Sequence, residues 1–175
     1  MIPARMNSSR FPGKPLAKIM GISMIEHVYK RCNLSKSLDD LYVATCDHEI
    51  KEAVEAFGGK VVMTSDTHER ASDRIAEAGL EIKADVYVMI QGDEPATDPE
   101  MIDLAIEPFK QDDIVGCVNL IKRIDNEEDF LNPDTIKVVM DNKSNALFMS
   151  RQAIPSVNNI PFAKLSCYKQ VCIIP

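Results

Sequence analysis

Arg5, Arg10 and Lys14 fall within ten residues of the opening run Ile2-Pro3-Ala4-Arg5-Met6-Asn7-Ser8-Ser9-Arg10-Phe11-Pro12-Gly13-Lys14-Pro15-Leu16. Loops of this composition hold polyphosphate. Each arginine can fork two donors onto phosphate oxygens, and Lys14 acts as a mobile point charge. The serines and the turn backbone add neutral donors, and Gly13 lets the main chain come close. The plain alternative is a solvated basic tail. Against it, the chain carries a net charge of −7, so a local concentration of cations needs a reason. Residues 22–32 also place apolar side chains at helical spacing, so the loop runs into a helix as a phosphate cradle does.

A second group, Gln91-Gly92-Asp93-Glu94-Pro95, follows an apolar run at 86–90, where open α/β sheets place their ligands. Asp93 is an oxygen ligand for a hard cation. Mg²⁺ uses one or two carboxylates plus substrate phosphates, which suits a single aspartate facing a triphosphate on the first loop. Taken alone, the pair Gly92-Asp93 reads equally as a surface turn. A third segment, residues 64–74, is dense in hydrogen-bonding side chains and enters a helix. Its Arg74 suits a base or phosphate, Ser72-Asp73 can serve as caps, and His68 stands open between a loop residue and a functional one. In the fourth, Lys137 interrupts an apolar strand and implies that one sheet face is wet. Arg151 suits a substrate carboxylate or a surface acid.

Short apolar runs at 41–45, 61–63, 86–90, 114–118 and 136–140 must carry these groups, as strands alternating with helices at 22–32, 47–57, 70–83, 99–110 and 126–130. The expected fold class is α/β, an open, mostly parallel sheet with helices on both faces. Gly58-Gly59 ends one helix, and Asp98-Pro99 starts another with an acidic cap. Only Met1 and Ile2 precede the first loop, and residues 168–175 read as a strand that stops as it starts. We therefore expect a single domain, 1–175, lacking its first strand and a C-terminal segment.

The acidic balance, 27 Asp and Glu against 20 Lys and Arg, argues against a general nucleic-acid surface. No apolar run reaches the ~18 residues needed to span a bilayer, and no secretory pattern opens the chain, so a cytoplasmic location is expected. Five cysteines without a C-x-x-C pair indicate neither a disulfide framework nor a thiolate zinc site.

Four segments in this order resemble the 3-deoxy-manno-octulosonate cytidylyltransferases and related sugar-acid cytidylyltransferases: Ile2 to Arg5 with Ser9 to Leu16, Gln91 to Pro95, Asn132-Pro133 through Lys137-Val138-Val139, and Ser150-Arg151. The resemblance covers nearly the whole chain. It implies a Rossmann-like nucleotide-diphospho-sugar transferase fold, a place in lipopolysaccharide biosynthesis, and transfer of CMP from CTP to an acidic sugar with release of pyrophosphate. By family position, Arg5, Ser9, Arg10 and Lys14 face the triphosphate, with Mg²⁺ on Asp93. Ala4, Ala71, Arg74 and Gln91 complete the nucleotide site, and Arg151 and Gln170 face the sugar. Arg10, Lys14 and Asp93 would carry the chemistry, chiefly by positioning and electrostatics. The chain departs from the family pattern at Gln170, where a histidine is usual, and at Glu69-Arg70-Ala71, where a small glycine-bearing turn is usual. The family's C-terminal segment supplies a second metal-binding aspartate. The expected partners are CTP and an acidic sugar, not nucleic acid or membrane, and exposed sheet edges invite a homodimer. Two alternatives remain: activation of another sugar acid or a sugar phosphate, and an inactive nucleotide-binding remnant.

Overall fold

Met1 and Ile2 point to opposite sides of the chain, and that alternation begins a sheet. In the computed structural model, which describes residues 1–7, 11–112, 114–156, 161–171 and 173–174, strand β1 (Ile2–Pro3) leads to a small hairpin, β2 (Lys18–Ile19) and β3 (Ile22–Ser23). Helix α1 (Met24–Cys32), β4 (Tyr42–Thr45), α2 (His48–Ala56), β5 (Lys60–Met63), α3 (Ala71–Glu81), β6 (Met89–Ile90) and α4 (Pro99–Gln111) follow. Next come β7 (Leu120–Arg123), α5 (Glu127–Leu131), β8 (Lys137–Met140), β9 (Ala146–Ser150), β10 (Tyr168–Val171) and β11 (Ile173–Ile174). The chain divides into two compact units, Met1–Val118 with Ile173–Pro175, and Asn119–Cys172.

The first unit holds the expected parallel sheet. β4 pairs in parallel with β1 on one side and β5 on the other. The Met1 nitrogen donates to Val88 O at 2.6 Å and Ile90 N–H donates to Met1 O at 3.0 Å, a parallel pattern that joins β6 to β1. β11 closes the edge antiparallel to β6. One face packs Met1, Ala44 and Val62 against Ile75 and Ala78 of α3. Alternation turns Ile2, Val43 and Ile90 to the other face, all of them fully buried. Asp98 caps α4 as expected, its carboxylate accepting from Glu100 N–H at 3.1 Å.

Ahead of the first loop, Ile2–Pro3 forms a two-residue strand against β4. One expectation needs correction here. Residues 114–118 form no strand, and Ile114 is 90% exposed. Met1 and β11 already occupy both sides of β6, leaving no partner there for a further apolar run.

The second unit is a four-stranded antiparallel sheet, ordered β7-β10-β8-β9. Its core gathers Ile124, Phe130 and Cys167, with Phe162 packed on Phe130 at a ring separation of 5.6 Å. β7 and β9 went unread because their side chains are half-buried or exposed and their polar residues blur the apolar runs. Among the described cysteines none is bonded to another, and Cys32 and Cys167 are buried.

Candidate active site

The turns that follow β1, β4, β5 and β6 all leave the carboxyl ends of parallel strands, and they carry the chemistry-bearing residues. After β1, the buried Ala4 donates its N–H to Ala44 O at 3.0 Å. Met6 N–H then donates to the Asp47 carboxylate at 2.8 Å, and Gly13 N–H donates to Met6 O at 2.9 Å. These bonds tie both ends of the first loop. Gly13 has φ +71°, a left-handed conformation that glycine adopts without strain. Lys14 next reaches across to Asp93, Nζ to Oδ2 at 2.6 Å, with both side chains partly exposed. Ser9 and Arg10 lie outside the described residues.

The Gln91–Pro95 turn lies against the end of β1. A Cβ on Gly92 would stand 2.9 Å from Pro3 O and 3.3 Å from Ile2 Cγ2. The neighbouring backbone cannot yield cheaply. Gly92→Ala is therefore expected to destabilise the protein by about 1–3 kcal/mol and to lower activity by displacing Asp93. Denaturant titration beside an activity measurement checks it, and unchanged stability would contradict the close approach.

A second group surrounds a pocket of about 140 Å³ lined by Pro3, Ala4, Arg5, His68, Glu69, Arg70, Ala71 and Arg74. Arg74 is 3% exposed, yet its guanidinium is satisfied by Thr64 Oγ1, by Ser65 O at 3.2 Å and by Cys46 Sγ at 3.5 Å. It binds the ends of β4 and β5 to α3. His68 Nε2 bonds the Glu77 carboxylate, which also accepts from Ser65 N–H at 2.9 Å. α3 begins after Arg70, so Ser72 and Asp73 lie inside its first turn and do not cap it.

The His68 bond, with Ser65 N–H behind it, lowers the Glu77 carboxyl below its ordinary value of 4.5. A depressed carboxyl pKa stabilises the fold above the unfolded value, and the gain disappears as pH falls through the native value. Wild type should lose stability below pH 4.5 more steeply than Glu77→Gln, as chemical denaturation across that range would show. Parallel profiles would contradict the assignment.

In the second unit the expectation for Lys137 is overturned. It is fully buried, and its ammonium donates to Asn132 O at 2.8 Å, Thr135 O at 2.7 Å and Arg151 O at 2.6 Å. Burial, with the Arg151 charge behind it, lowers its pKa. The strand tolerates a lysine because three inward carbonyls need a donor, not because that face is wet. Arg151 donates to Pro133 O at 3.0 Å and Asp134 O at 3.2 Å and stays largely exposed. Gln170 Nε2 donates to Asn119 Oδ1 at 2.6 Å.

The structure thus brings Ala4, Arg5, Ala71 and Arg74 around one pocket, pairs Lys14 with Asp93, and sets Gln91 on the turn that carries Asp93. Arg151 and Gln170 belong to the other unit. Sequence reasoning missed Thr64 as the partner of Arg74. The departure from the family pattern that it marked at Glu69-Arg70-Ala71 lies on the pocket wall.

Cationic groups gathered at the carboxyl ends of parallel strands, beside an accessible aspartate, define a nucleotide-handling α/β protein. The cytidylyltransferase family model matches residues 1–172, and the chain belongs to that family of nucleotidyltransferases. It is 44% identical over 180 residues to 3-deoxy-manno-octulosonate cytidylyltransferase of Geobacter metallireducens, an alignment covering 98% of this chain and 71% of that protein. It is 48% identical over 159 residues to 8-amino-3,8-dideoxy-manno-octulosonate cytidylyltransferase of Shewanella piezotolerans, covering 89% of this chain and 65% of the relative. Among solved structures, a CMP:2-keto-3-deoxy-manno-octonic acid synthetase complexed with CTP superposes with a TM-score of 0.94 at 38% identity, covering 99% of this chain and 70% of that one. No helix among the described residues is long and apolar enough to cross a membrane.

Proposed function

We propose that this chain transfers CMP from CTP to 3-deoxy-manno-octulosonate, releasing pyrophosphate. The observation that carries the reading is the Lys14–Asp93 contact beside the cationic pocket at the end of β1. The sugar's anomeric hydroxyl loses its proton to solvent as its oxygen bonds to the α-phosphorus of CTP, and the bond from that phosphorus to the bridging oxygen breaks with its electron pair leaving on pyrophosphate. Arg5, Ser9, Arg10 and Lys14 hold the triphosphate and offset the negative charge that develops on it. Ala4, Ala71 and Gln91 bound the cytidine, with Arg74 holding the pocket wall from inside. Arg151 and Gln170 orient the sugar acid, the arginine through its carboxylate.

Asp93 suits Mg²⁺: its carboxylate is a hard oxygen donor and 40% exposed. No cluster of three His, Cys, Asp or Glu converges among the described residues, so CTP oxygens would complete the coordination. Bound there, the ion supplies positive charge against the phosphates. A cytoplasmic setting, a role in lipopolysaccharide biosynthesis and a homodimer belong to the same proposal.

Similarity to the Shewanella piezotolerans protein favours one second reading, in which the acceptor is the 8-amino sugar. Pyrophosphate release with CTP, Mg²⁺ and each sugar tests both. Release with either and none with UTP supports a cytidylyltransferase, and the larger kcat/KM names the acceptor. No release from folded protein with either sugar would favour a chain that binds nucleotide without turnover.

A further inference from the structure

Residues 65–70 run from the end of β5 to the start of α3, and His68, Glu69 and Arg70 among them line one wall of the pocket. Nothing apolar anchors this segment. It reads Ser65-Asp66-Thr67-His68-Glu69-Arg70, and none of the six is buried. Two of its bonds are internal, between the Ser65 and Thr67 hydroxyls at 2.8 Å and from Thr67 N–H to Ser65 Oγ at 3.2 Å. Among the described residues, every hydrogen bond that 65–69 make beyond the segment goes to Arg74 or Glu77 of α3. Arg74 donates to Ser65 O at 3.2 Å, while one oxygen of Glu77 accepts from Ser65 N–H at 2.9 Å and bonds His68 Nε2. Standing three residues apart, Arg74 and Glu77 share a helix face. Arg74 also lines the pocket, whereas Glu77 reaches it only through His68.

We propose that Glu77 is a positioning residue for the nucleotide site, fastening the 65–68 turn to α3 so that the pocket wall is formed before a ligand arrives. Its two bonds fall at the ends of the turn, one on the Ser65 backbone and one on the His68 ring, so main chain and side chain are held together. A polar segment without such ties samples many backbone conformations. Ordering it on binding would draw on the free energy of the ligand's own contacts, and a wall that is already fixed avoids that cost. Both bonds land on the same carboxylate oxygen, which has lone pairs for two donors. An amide oxygen in its place could accept the same two donors without the charge, which separates the position of Glu77 from its electrostatics.

The inference rests on the reading of this pocket as part of a CTP site. Its test is CTP affinity by calorimetry, with steady-state kinetics, for wild type, Glu77→Ala, Glu77→Gln and His68→Ala, each at a temperature where its thermal melt shows it folded. Glu77→Ala should bind CTP about tenfold more weakly and raise KM for CTP to match, with kcat within about twofold of wild type, because binding is lost equally from ground and transition states. Glu77→Gln should regain most of that affinity. His68→Ala, which cuts only the outer bond, should weaken CTP binding as well, and it carries the test if Glu77→Ala does not fold. CTP affinity unchanged in the folded variant would overturn the inference and leave the CTP reading standing. So would a fall in kcat at constant KM, or a loss that Glu77→Gln does not restore. A wild type that does not bind CTP would overturn both.

Discussion

Replacing Asp93 by Ala is expected to slow pyrophosphate release by about 10²–10³-fold at saturating CTP, the scale seen when one group that stabilises transition-state charge is removed. Asp93 is the partly exposed carboxylate that faces Lys14 at 2.6 Å on the turn after β6. In the proposed reaction it holds Mg²⁺ while Lys14 turns to the phosphates, so its loss removes cationic charge where negative charge develops. A second readout separates this role from a structural one. Without divalent cation, CTP should bind the variant at least as tightly as wild type, because a repelling carboxylate is gone. The gain in affinity on adding Mg²⁺ should shrink. Asp93→Asn should behave alike, since it preserves size and removes charge. Full activity in either variant would remove Asp93 from the reaction.

The largest expected loss of stability comes from Lys137→Met. The variant keeps the aliphatic stem but deletes the ammonium that satisfies three backbone carbonyls. Leaving buried acceptors without a donor costs about 1–3 kcal/mol each before relaxation, so a net loss of about 3–5 kcal/mol is expected. At this chain length that lowers the melting temperature by roughly 10 °C. The effect should extend to the proposed sugar site. Lys137 holds the Arg151 carbonyl and the 132–135 turn, whose Pro133 and Asp134 carbonyls accept the Arg151 guanidinium. A raised KM for the sugar with little change in KM for CTP would mark that coupling. A loss below about 1 kcal/mol would show that the carbonyls find other donors.

Much of this was legible without coordinates. Helices α1 to α4 follow from apolar spacing and, for α4, from the cap at Asp98, because both are local properties of a few neighbouring residues. β4, β5 and β8 follow from short apolar runs. β7 and β9 did not, because strand formation depends on partners far along the chain. The same holds for 114–118, an apolar run without a partner strand.

The amino-acid sequence by itself determined the residue types at the site. It sets cations before the first helix, an aspartate after a buried strand and an arginine in a polar run, and charge and donor geometry are properties of side chains wherever they lie. Only the tertiary structure decided what each is free to do. Arg74 and Lys137 spend their donors on buried acceptors, while Glu69 and Arg70 stay exposed on the pocket wall. The physical reason is burial. Once water is excluded, a polar group must be satisfied by whatever the fold brings against it, and those partners lie at separations no local pattern records.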